Sequence, residues 1–88
     1  MSKEDLRATL ERLRSEVGSL SFRNPRDRER MHALISAIER QLKHSDDSGQ
    51  REELLDALPT TIKQLEVEHP TLTAILSRII SALSSMGI

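Results

Sequence analysis

Residues able to bind a metal or move a proton occur twice at one spacing, in Glu29-Arg30-Met31-His32 and in Glu66-Val67-Glu68-His69. In helical di-metal carboxylate proteins such a Glu-x-x-His pair puts both ligands on one helix face, pointing into the bundle. The surrounding pattern argues against that chemistry here. The apolar face of the second helical segment centres near Met31 and Ile38. At about 100° per residue, Glu29 lies roughly 160° from it and His32 about 100° away. Both are read as surface residues. His69 precedes a proline, and Glu66 and Glu68 stand beside it without a nucleophile. These three are read as the capping end of a helix, where the macrodipole favours negative charge. Gly18, Gly49 and Gly87 are too far apart to build a phosphate-cradling loop. No catalytic residue, metal ligand or cofactor is therefore expected, and the chain is not expected to be an enzyme.

A second cluster is basic. Arg23, Arg26, Arg28 and Arg30 are interleaved with Asp27 and Glu29. This is read either as a solvated helix start or as a contact for a phosphate or an acidic partner. The charge is also unevenly spread. Residues 1–45 hold ten Lys and Arg against seven Asp and Glu, whereas residues 46–69 hold two against seven. Such halves can pair within one bundle or between two copies. The net charge of −1 gives no broad basic surface, and Phe22 is the sole aromatic residue. Both features make nucleic-acid binding a poor expectation. The absence of cysteine removes disulfides, zinc fingers and thiol catalysis. The charged residues 3–7, with no apolar run of signal length after them, predict a cytoplasmic protein. No uncharged stretch approaches the roughly 20 residues of a membrane span.

The elements that carry these residues are helical. Leu6, Leu10, Leu13, Val17 and Leu20 step by four and three, a coiled-coil-like seam. Ser2 is the expected N-cap, and Gly18 with Ser19 the expected end. Asn24-Pro25 reads as an N-cap followed by proline in the first helical position. Phe22 is expected to staple back toward residues 28–31. The second helix carries Met31, Leu34, Ile35, Ile38 and Leu42 on one face. The polar segment 44–50 is a loop, and Ser48 is expected to open the third helix. That helix carries Leu54, Leu55, Leu58, Ile62 and Leu65, whose phase is kept across Pro59, so one kinked helix is expected. His69-Pro70 starts the fourth helix, with Leu72, Ile75, Leu76, Ile79, Ile80, Leu83 and Met86 inward and Gly87 as the expected stop. Its outer face, including Thr73, Ser77 and Ser81, is small and is a candidate interaction surface. The predicted architecture is all-α: one domain, 1–88, an antiparallel bundle of four amphipathic helices at about 3–19, 25–43, 50–68 (kinked at Pro59) and 70–86.

The run Leu65-Glu66-Val67-Glu68-His69-Pro70-Thr71-Leu72-Thr73-Ala74-Ile75-Leu76 and the ending Ala82-Leu83-Ser84-Ser85-Met86-Gly87-Ile88 resemble the small bacterial proteins filed as domain of unknown function 4404. Asp5-Leu6-Arg7 and Ile38-Glu39-Arg40 fit the same pattern, whereas the loop at 44–50 and Pro59 depart from it. The resemblance implies a bacterial, cytosolic, mostly helical protein without an assigned activity. It singles out Glu68, His69, Pro70 and Thr71, which the residue-level reading takes as a structural junction.

A small chain with a modest core often gains stability by oligomerising. The expectation is therefore a non-enzymatic helical interaction module, a homodimer. The alternative is a small regulator that binds nucleic acid or an acidic partner through Arg23, Arg26, Arg28 and Arg30.

Overall fold

The computed structural model describes residues 3–86, with side chains through residue 85. Four helices follow one another: α1 Lys3–Ser19, α2 Pro25–Lys43, α3 Ser48–Leu65 and α4 Pro70–Met86. The expected Ser2 cap and Gly87 stop lie outside the described residues, as does the side chain of Met86.

Local chemistry sets most helix limits. The Asn24 side chain accepts a hydrogen bond from the Arg26 backbone N–H at 2.9 Å, and Pro25 takes the first helical position, where a missing N–H costs nothing. α3 starts two residues earlier than expected, and its N-cap is Asp47, not Ser48. The Asp47 carboxylate accepts from the Gln50 backbone N–H at 3.0 Å. A carboxylate both caps and favours the positive end of the helix dipole, which a serine hydroxyl does only by capping. At its other end α3 stops at Leu65, not at residue 68. Residues 66–68 form a turn, closed by the His69 N–H donating to the Leu65 carbonyl at 2.8 Å. The residue before a proline is pushed out of helical geometry, so the chain leaves the helix ahead of Pro70.

α3 runs unbroken through Pro59, which is exposed. The proline leaves the Leu55 carbonyl without its helical donor. One turn on, the Thr61 hydroxyl donates to the Ala57 carbonyl at 3.1 Å.

Each helix packs against its two neighbours in a closed ring, α1–α2–α3–α4–α1, and among the described residues no diagonal pair brings its Cα atoms within 8 Å. Leu6, Leu10, Leu13 and Val17 of α1 are buried in this ring, so the leucine seam is used within the bundle. α2 contributes Met31, Leu34, Ile35, Ile38 and Leu42 as expected. In α3 the buried line is Leu54, Leu58, Thr61 and Leu65, while Leu55 and Ile62 are half-buried. The stripe is thus rotated toward Thr61 relative to the expected one, because a 4-3-4 spacing continues one straight seam where 58 to 62 drifts off it. α4 buries Leu72, Ile75, Leu76, Ile79, Ala82 and Leu83 and leaves Ile80 partly exposed. Arg14 ties α1 to α2 through Glu39 and also pairs with Glu11 at 2.7 Å. Hydrogen bonding to Glu39 raises the Arg14 pKa further above its already high ordinary value. Among the described residues no helix is long and apolar enough to cross a membrane.

Candidate interaction surface

The junction residues sit at one end of the bundle. Glu68, Pro70 and Thr71 are exposed, whereas His69 is only 9% exposed. The His69 side chain was expected to cap α4. Among the described residues no backbone N–H donates to it. Its ring instead lies against Phe22, with centroids 4.9 Å apart and planes tilted by 48°. Its Nε2 is buried without a hydrogen-bond partner. The α1–α2 loop and the α3–α4 turn are thereby pinned together by two rings. Ser21, Arg23, Glu68 and His69 line a concavity of about 280 Å³ beside this contact.

The four arginines do not gather into one patch. Arg23 belongs to that concavity, Arg28 to another with Pro25, Glu29 and His32, and Arg30 to the seam between α2 and α3. Alternate residues on a helix are about 200° apart, so an Arg-x-Arg-x-Arg spacing splits sides at every step. Glu29 and His32 are exposed, and among the described residues no three His, Asp or Glu side chains are placed to hold a metal. On α4, Ser77 and Ser81 are exposed and Thr73 half-buried. The Thr73 hydroxyl donates to the Pro70 carbonyl at 2.7 Å and the Ser77 hydroxyl to the Thr73 carbonyl at 2.9 Å. Both hydroxyls are turned onto their own helix.

The feature that sequence reasoning missed is the α2–α3 seam. Arg30 donates to Gln64, which places the start of α2 beside the end of α3 and fixes the pair as antiparallel. Stepping along both helices at the same 1.5 Å rise puts Ala37 beside Ala57 and Arg40 beside Glu53 and Leu54. Alanine side chains are too short to fill the space between two helices. The result is a groove of about 350 Å³. Its α2 wall is Arg30, Ala33, Leu34, Ala37 and Arg40, and its α3 wall is Gln50, Glu53, Leu54, Ala57 and Thr61. Leu34 and Leu54 form the buried base, while Ala33 and Ala57 are exposed. Of the four neighbouring pairs, α2 and α3 make the least contact. Arg30 is held by Gln64 and, at 3.9 Å, by Asp27. Among the described residues Arg40 and Glu53 make no ion pair, although they face each other across the groove.

Gln41 lies on the same side of α2, roughly 40° from Ala37. It is wholly buried, and neither its Oε1 nor its Nε2 has a hydrogen-bond partner. A signal was present: Leu34, Ile38 and Gln41 step by four and three, as do Leu54, Leu58 and Thr61. Each flank of the seam thus has a polar residue at a core position.

No curated protein and no solved structure matches the chain. A family model described as Domain of unknown function (DUF4404) matches residues 6–88. That span includes all of α2, α3 and α4 and most of α1, and the chain belongs to the DUF4404 family.

Proposed function

We propose that this chain is a non-enzymatic helical interaction module that associates with a second copy of itself. The observation that supports this reading is the α2–α3 groove: an apolar, alanine-walled channel left open along the bundle, with unpaired opposite charges on its two rims. A channel of this kind is the shape into which helices dock. The coiled-coil-like leucine seam of α1 cannot serve as the contact because it is buried within the bundle. The module is further taken to be a bacterial, cytoplasmic one, with which a chain that uses no cysteine is compatible. Sedimentation equilibrium between 1 and 500 μM (about the span over which weak dimers populate) tests it. The expected result is a mass rising toward twice the 10.0 kDa of the chain. A mass that stays at the single-chain value throughout refutes it.

A further inference from the structure

We propose that two copies pair face to face through their α2–α3 grooves, about a two-fold axis parallel to the helices, so that α2 of each copy lies over α3 of the other. This rests on the self-association reading and adds the surface and the geometry.

The argument begins with the rims. On α2, Arg30 and Arg40 line the groove, and at about 100° per residue Arg26 stands on the same side; Arg30 is held by Gln64 and Asp27, which leaves Arg40 without an ion pair among the described residues. On α3, beside Arg40, Glu53 lines the groove, whereas Glu52 and Asp56 lie about 140° and 100° round the helix from Ala57 and face away from it. One basic and one acidic side chain, Arg40 and Glu53, thus stand on opposite walls at the same height along the bundle.

A two-fold dimer uses one patch twice, so the patch must complement itself. Two face-to-face arrangements satisfy the symmetry. With the axis across the helices, α2 lies antiparallel on α2, and Arg40 of one copy falls toward Arg26 and Arg30 of the other. With the axis along the helices, heights are unchanged and the two walls are exchanged. Arg40 of one copy then falls over Glu53 of the other, twice in the dimer. Like charges opposed across an interface cost several kcal/mol and opposite ones fix register, which selects the second arrangement.

The alanines at positions 33, 37 and 57 let the helices of the second copy come close, since interaxial distance is set by side-chain size at the contact. Size also favours a second copy over a short peptide. A long face of the bundle measures 37 Å by 18 or 21 Å. Covering one face is on the order of 700 Å², close to the roughly 800 Å² per partner of a standard interface.

Other faces lack these properties. The α1–α2 channel is crossed by the Arg14–Glu39 pair. The outer side of α4 carries hydroxyls bonded to its own backbone and no pattern of charge to set a register.

A charge exchange tests the geometry, with dissociation constants read by sedimentation and folding checked by circular dichroism. Arg40→Glu and Glu53→Arg should each weaken the dimer about tenfold, and the double variant should return to near the wild-type value, because both contacts are then reformed with signs reversed. Ala57→Arg changes an exposed position, fills the channel, and should also weaken association by about tenfold or more. Ser81→Glu, on the outer face of α4, should leave it unchanged. If the wild type dimerises but Ala57→Arg has no effect, or the double variant is no better than the singles, the proposed face is wrong while self-association stands. Loss of the dimer in Ser81→Glu alone assigns the interface to α4 and has the same consequence. A monomeric wild type overturns both this proposal and the reading on which it rests.

Discussion

Replacing Gln41 by methionine should make the protein more stable. Gln41 is wholly buried in α2, and both polar atoms of its amide lack partners. A buried polar group without a hydrogen bond costs about 1–3 kcal/mol in lost hydration. Methionine has nearly the same length and flexibility, and its helix propensity is similar, so shape and entropy change little. Removing two unpaired groups while adding apolar contact should therefore gain about 2–4 kcal/mol. For a domain of this size each kcal/mol moves the midpoint by ~4–8 °C, so Tm should rise on the order of 10–30 °C. The assay is urea and thermal unfolding followed by circular dichroism. Both proteins are compared at one concentration, because association adds to apparent stability. A variant less stable than wild type by about 1 kcal/mol or more would refute the reasoning. It would mean that the amide is hydrogen-bonded in solution and that Gln41 contributes to holding α2 against α3.

Three further outcomes follow from single contacts. Asn24→Ala removes the acceptor for the Arg26 N–H and should cost about 1 kcal/mol by urea unfolding; no loss would show the cap to be redundant with Pro25. Pro59→Ala restores a donor for the Leu55 carbonyl at an exposed position and should stabilise by about 1–3 kcal/mol, whereas destabilisation would show that the packing of α3 depends on the proline. His69→Asn should destabilise by about 1 kcal/mol although asparagine is a good N-cap, because the variant loses the ring contact with Phe22; wild-type stability would restore the capping role.

The chemistry of individual side chains depended on how the helices turn in the bundle. His69 illustrates this. Its place before a proline correctly marks the end of α3 and the start of α4, since proline acts on its immediate neighbours. Whether its ring caps a helix or packs on Phe22 depends on a loop 47 residues earlier in the chain, brought alongside by the pairing of helix ends. The arginine run shows the converse. Of four basic residues close together in sequence, Arg23 in the loop and Arg28 and Arg30 on α2 come to lie in three separate surroundings.

What the sequence by itself determined is local or periodic. Asn24-Pro25 and His69-Pro70 mark two helix starts, and the 4-3 spacing of Leu6, Leu10, Leu13 and Val17 and of Leu72, Leu76, Ile79 and Leu83 marks the buried faces. Four such faces joined by short loops leave an antiparallel bundle as the arrangement that buries them all. Tertiary structure decided the rest. It buried Gln41 on α2 and, on α3, Thr61 rather than Leu55 or Ile62, and it set Ala37 beside Ala57 to leave an open groove. These outcomes depend on the rotation and register of α2 against α3. A shift of one residue turns a helix face by about 100°, and only the summed packing of all four helices selects the rotation adopted.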